Sequence, residues 1–199
     1  MRLIAGESKG RRIEVPRGLQ VRPSSARFRE SAFGILEHRD AITDSCVLDL
    51  FAGSGVLGLE ALSRGARRVV AVEADAGVAR ILRSNAEHCG VAERLEVQVL
   101  QVDRALARFG KTSGLFDLVF IDPPYRAGLL DGVLERLADA GLVAPGGRLV
   151  VEHAKEEDLA PCSQFEIETE RRFGSTRLTI LRNQPLTDPR EGEAESEWR

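Results

Sequence analysis

The sequence predicts an α/β fold: a seven-stranded, mostly parallel sheet with helices on both faces, closed by a C-terminal antiparallel hairpin and preceded by a small N-terminal β-hairpin. Three observations carry this reading. Short apolar runs alternate with helix-period segments from Cys46 to Glu152, and such alternation gives parallel strands joined by right-handed crossovers. The first of these runs, Val47-Leu48-Asp49-Leu50, leads into Phe51-Ala52-Gly53-Ser54-Gly55-Val56-Leu57-Gly58, a Gly-x-Gly-x-x-Gly turn that opens a helix. The fourth run ends in Asp122-Pro123-Pro124-Tyr125, at the strand edge where open α/β sheets bind ligands.

Taken in order, Arg2-Leu3-Ile4-Ala5 and Arg12-Ile13-Glu14-Val15 alternate around a Gly-rich turn and predict a hairpin with basic residues at its tip. Ser25 is placed to N-cap a helix whose apolar residues recur at Phe28, Ala32, Ile35 and Leu36. Strands are expected at residues 46–51, 68–72, 95–100, 116–121 and 148–152. Between them, Leu57, Glu60, Ala61 and Arg64 mark a helix stopped by Gly65. Val78, Ile81 and Leu82 mark one that Asp75 caps and Gly90 ends, and Leu130, Val133, Leu134 and Leu137 mark another that ends near Gly141. Segments 165–169 and 178–181 pair through Arg171-Arg172-Phe173-Gly174. The chain thus divides into a basic hairpin extension (1–24), a catalytic domain (25–184) and an acidic tail (185–199) expected to be disordered.

Composition narrows the function classes. With 199 residues, 43% hydrophobic and 30% charged, the chain is long enough to bury a core. It has neither a membrane-length apolar run nor a signal-type N-terminus, so a cytoplasmic protein is expected. Cys46, Cys89 and Cys162 are scattered, as are His38, His88 and His153, which read as surface or helix-end residues; neither a disulfide framework nor a metal site is expected. Net charge is −3, yet the first 29 residues hold eight Arg or Lys against two Glu, and the last 15 hold two Arg against five acids. A basic arm on an acidic body suits docking on phosphates, through Lys9, Arg11, Arg12 and Arg22.

The glycine turn alone suits either NAD or S-adenosyl-L-methionine (SAM). A carboxylate at the mouth of the turn, Asp49, repels a pyrophosphate and favours the ammonium and sulfonium of SAM. Glu73, ending the second strand, suits ribose hydroxyls of either cofactor. Asp103 reads equally as an acceptor for an adenine amine or as a helix N-cap, and Arg27 as a partner for a cofactor carboxylate, for an RNA phosphate or for solvent alone. Asp-Pro-Pro-Tyr is what methyl transfer to an exocyclic amine calls for. The lone pair of a nucleobase amine is delocalised into the ring, so acceptors on its hydrogens, the Asp122 carboxylate and the Pro123 carbonyl, expose it. Pro124 stiffens the corner, and Tyr125 is suited to stack on an extruded base.

At these residues the chain resembles the SAM-dependent amino-methyltransferases. Within them, Arg2-Leu3-Ile4-Ala5-Gly6 with Lys9-Gly10-Arg11-Arg12, Arg22-Pro23-Ser24-Ser25-Ala26-Arg27-Phe28-Arg29-Glu30, Phe51 to Gly55 and Leu57 to Arg64 resemble the RsmD family of bacterial 16S rRNA guanine-N2 methyltransferases. Ala26 and Phe28 depart mildly from that family's pattern, and the tail lies outside it. The resemblance implies a Rossmann-like class I methyltransferase fold. It also implies SAM held by Asp49, Phe51, Ala52, Gly53, Ser54, Gly55, Glu73, Asp103 and Arg27, with S-adenosyl-L-homocysteine as product. The substrate it implies is 16S rRNA within a small ribosomal subunit or a late assembly intermediate, modified by a monomer without metal. Two other readings stand beside it: a DNA adenine-N6 methyltransferase, against which the chain has no separate target-recognition domain, and a non-catalytic RNA-binding assembly factor, which would not need both motifs.

Overall fold

The computed structural model describes residues 1–15, 26–110, 115–124, 129–159 and 162–184. Helix α1 (Ala26–His38) precedes the alternating core of β1 (Cys46–Leu50), α2 (Val56–Ser63), β2 (Arg68–Glu73), α3 (Ala76–Cys89), β3 (Leu95–Val99), α4 (Val102–Phe109), β4 (Phe116–Ile121) and α5 (Leu129–Asp139). The chain closes with β5 (Val143–Ala154), β6 (Phe165–Phe173) and β7 (Thr176–Asn183). These strands form one sheet in the order β3-β2-β1-β4-β5-β7-β6, parallel except where β7 runs antiparallel to both its neighbours.

Strand alternation sends successive side chains to opposite faces. Val47, Val69, Ala71, Leu118, Phe120 and Val150 join one apolar cluster with α1, α2 and α3. Leu48, Leu50, Val70, Val72, Val119, Ile121, Leu149 and Val151 join a second with α4 and α5. Helix α3 starts and stops as its sequence predicts: Asp75 accepts from the N–H groups of Gly77 and Val78, and Gly90 ends it at φ 74°. Several expectations are corrected. The β6–β7 connection is shorter than expected, because Arg171, Arg172 and Phe173 belong to β6 and pair with Leu178, Arg177 and Thr176. Strand β5 begins five residues early, with a register shift between its pairs with Phe116 and Leu118. Asp103 does not cap α4; Gln101 holds that position and Asp103 lies inside the first turn. His153 is buried in β5, bonded to Glu157 O and Thr179 Oγ1, while His38 and His88 sit at helix ends. Ser25, Arg22, Tyr125 and the tail lie outside the described residues.

The first 15 residues close on themselves through Leu3 N–H to Arg11 O, Gly10 N–H to Leu3 O and an Arg2–Arg12 bridge. They then anchor to α2 and α3, and Leu3 and Ile13 enter the first cluster. Glu60, fully buried on α2, accepts from the N–H groups of Ile4 (2.7 Å) and Ala5 (3.0 Å), pairs with Arg64 at 2.8 Å and faces Arg29 at 4.0 Å. Ser63 Oγ accepts from Ser8 N–H and donates to Ala5 O, and Ser8 Oγ donates to Cys89 O. Gly6 (φ 80°) lies so close that a Cβ there would stand 1.7 Å from Ser63 O. Removing one partner of a buried charge cluster costs about 3–5 kcal/mol. Glu60→Ala should lower unfolding stability by about that amount in urea titration and speed trypsin cleavage after Lys9 as the hairpin loosens.

Candidate functional site

Parallel register builds the site. Leu50 stands opposite Val72 on one side and Ile121 on the other, and Ile121 stands opposite Val151. All four belong to the second cluster, so the next strand position turns to the first face, as Glu73 and Glu152 do, and Asp122 follows Phe120 of that face; Phe51 instead leaves β1 at φ 60° and packs against the second cluster. Three carboxylates and the start of the glycine turn thus share one row at the carboxyl edge, about 4.8 Å from strand to strand. This edge includes the β1–β4 boundary, where the strand order reverses and open sheets bind ligands.

The turn departs from β1 with Phe51 at φ 60°, an uncommon conformation for a bulky side chain. Ala52 N–H bonds Val72 O, and Gly55 N–H bonds Ala52 O. Gly53 (φ 55°) faces open space, since a Cβ there would meet only Phe51 O at 3.9 Å, whereas one on Gly55 (φ 81°) would strike Leu82 at 2.6 Å. Gly53 therefore keeps a face clear for a ligand, while Gly55 and Gly58 serve packing; a Cβ on Gly58 would press on Val69 at 2.9 Å and Asp49 at 3.0 Å. Gly55 occupies the N-cap position of α2 and gives its first turn no side-chain cap, leaving an electropositive helix end beside the open face. Ser54 is buried, and its carbonyl accepts from Asn85 Nδ2 at 3.0 Å.

Asp49 does not sit at the mouth of the turn. It is 2% exposed, beneath the turn, with Oδ2 accepting from Gly58 N–H at 3.0 Å. Burial pushes its carboxyl up to about 7, the Gly58 bond opposes this, and the negative charges of Asp122 and Glu73 add to it. Glu73 spans the turn, accepting from Gly53 N–H at 2.9 Å and Asp75 N–H at 2.8 Å. Pro123 is buried and Pro124 exposed, so the corner after β4 is anchored on one ring.

The row gathers Asp49, Phe51 to Gly55, Glu73, Asp122, Pro123 and Pro124. Arg27 is exposed in the first turn of α1, beside Phe28, whose ring packs 6.0 Å from Phe173. Asp103 lies beyond β3 at the start of α4, exposed and paired with Arg136 at 2.6 Å. Lys9 and Arg11 sit at the hairpin tip away from the row, whereas Arg12 lies two residues before Glu14, which Asn85 ties to Ser54 O of the glycine turn. The hairpin tip lies against the C-terminal ends of α2 and α3, with Arg11 donating to His88 O, and the 14 residues of α3 separate the two ends by about 20 Å. Among the described residues no cluster of three or more His, Cys, Asp or Glu could hold a metal, and no helix is long and apolar enough to cross a membrane.

Glu60, Asn85 and Glu152 were not among the sequence candidates. Asn85 is buried and binds both backbone groups of Glu14 as well as Ser54 O, joining the arm to the glycine turn. Glu60 is the lone acid on a helix buried at every position. Glu152 repeats the pattern of Glu73, an acid that follows an apolar run, here Leu149-Val150-Val151 inside β5.

Residues 1–182 match the family model described as conserved hypothetical protein 95. The ribosomal RNA small subunit methyltransferase D of Escherichia coli K12 is 35% identical over 159 residues, 80% of this chain and 77% of that protein. The Haemophilus influenzae protein of the same name is 30% identical over 183 residues, covering 92% of this chain and 94% of its own. The solved structure of the putative methyltransferase yhhF from Escherichia coli superposes with a TM-score of 0.80 at 34% identity, covering 92% of this chain and 98% of that one.

An acid whose carboxyl titrates higher folded than unfolded stabilises below its unfolded value and loses that contribution as pH rises through the folded one. For Asp49 the window runs from the ordinary aspartate range to about 7. Asp49→Asn should therefore raise the melting midpoint of the ligand-free protein relative to wild type at pH 8, with the difference shrinking toward pH 4 in thermal melts.

Proposed function

The chain belongs to the RsmD family, and we propose that, as a SAM-dependent rRNA methyltransferase, it modifies the exocyclic N2 amine of one guanine in the 16S rRNA of the small ribosomal subunit. The observation that carries this reading is the row of acids flanking an open glycine turn at the strand-order reversal. It rests further on the family membership and on the acid-proline-proline corner one strand from that turn.

The site fits SAM. Gly53 leaves a cradle that a Cβ would face into, the uncapped start of α2 suits a carboxylate, and Glu73 suits ribose hydroxyls. Mutual repulsion among Asp49, Glu73 and Asp122 makes the edge receptive to a cation. SAM supplies an electrophilic methyl carbon there and leaves as S-adenosyl-L-homocysteine. The chain's own residues position the nucleophile. Asp122 and the Pro123 carbonyl accept the two hydrogens of the guanine amine, which draws its lone pair out of the ring and toward the methyl carbon. Asp122 then faces the proton that the amine gives up as its new N–C bond forms. Tyr125 stacks on the extruded base. Lys9 and Arg12, both exposed on the hairpin, meet RNA phosphates. The enzyme acts as a monomer in the cytoplasm, where assembling small subunits present the target.

Labelled SAM offered with small subunits from a host lacking the modification, with naked 16S rRNA and with duplex DNA should label the subunits, and digestion should yield N2-methylguanosine. Label in DNA alone would overturn the substrate; no label anywhere would favour a binding role. Asp122→Ala should lower turnover by about 10² or more while calorimetric SAM affinity stays near wild type. Replacing Lys9 and Arg12 with Ala should weaken RNA binding and flatten its salt dependence; an unchanged slope would remove the hairpin from the docking surface.

A further inference from the structure

We propose that Glu152 selects guanine, accepting the N1–H of the target base while Asp122 accepts from its N2 amine. The inference rests on the guanine-N2 reading above and adds to it a residue that reads base identity. Glu152 occupies the row of Glu73 and Asp122, one strand beyond Asp122, because Ile121 stands opposite Val151. It faces the same side as Asp122. Its neighbour Val150 and its cross-strand partner Leu178 both belong to the first cluster, as does Phe120, two residues before Asp122. With 6% of its surface exposed, it is an acid at a core position of the sheet, and its place in the row beside Asp122 calls for a reason.

The order across the row supplies one. Glu73 lies on one side of the glycine turn, Asp122 on the other, and Glu152 beyond it. A base whose amine is held at Asp122 extends away from the cofactor, toward β5. Guanine presents N1–H and the N2 amine side by side on its Watson–Crick edge, two donors in a row. A pair of carboxylates on adjacent strands presents two acceptors in a row. An ionised carboxylate only accepts, so it rejects any base with a bare nitrogen at N1, and adenine is such a base. Burial sharpens the rejection, because an unmatched polar group there finds no water to replace its partner.

The test uses small subunits reconstituted with rRNA in which the mapped target guanine is either retained or replaced by 2-aminopurine, which keeps the N2 amine but bares N1. Wild-type enzyme should prefer guanine by roughly 10- to 100-fold in kcat/KM. Glu152→Gln should lose a similar factor on guanine while methylating 2-aminopurine at least as fast as wild type, since the amide donates to N1. Glu152→Asp, which keeps the charge, should retain the preference for guanine. Equal losses on both bases, with the ratio unchanged, would make Glu152 structural and overturn the proposal. A wild-type digest without N2-methylguanosine would instead overturn the guanine-N2 reading, an outcome seen before any variant is made.

Discussion

The register of four parallel strands is the constraint on which the site depends. Because Val72, Leu50, Ile121 and Val151 lie in one line, Glu73, Asp122 and Glu152 reach one row at the edge where the glycine turn leaves β1. A slip of one position on any strand would send its acid to the opposite face, against α4 and α5. The apolar clusters above and below the sheet hold that register. The electrostatics of the edge are thus a product of core packing. Asp49 shows the price: its carboxyl rises to about 7 because it is buried beneath a turn with two other acids near it.

Much of this was legible in the residues. The glycine turn, the strand-final acid Glu73 and the Asp-Pro-Pro corner are local patterns, and local patterns survive without knowledge of what packs on them. The capping of α3 by Asp75 and Gly90 was readable for the same reason. The position of Asp49 was less so: its place next to the turn was visible, but whether its side chain looks outward or under the turn depends on Gly58, nine residues on.

What stayed hidden depends on distant partners. Glu60 marks a helix in the sequence, but its burial shows only when Ile4 and Ala5, more than 50 residues earlier, arrive at its oxygens. The basic arm read as a hairpin with cations at its tip; that Leu3 and Ile13 are core residues and that the tip packs against the far ends of α2 and α3 was not visible. His153, a scattered histidine in the sequence, is fixed inside the sheet by Thr179 from a strand 26 residues later.

The way the arm is anchored has a consequence for biosynthesis. Ser8 reaches Ser63 across 55 residues and Cys89 across 81, so residues 1–15 cannot settle until α2 and α3 have followed them out of the ribosome. Throughout that interval Arg2, Lys9, Arg11 and Arg12 are cations on an unstructured thread, and the polyanion within reach is the ribosome that is making them. The newborn protein therefore meets the chemical class of its eventual substrate before it has a fold with which to act on it.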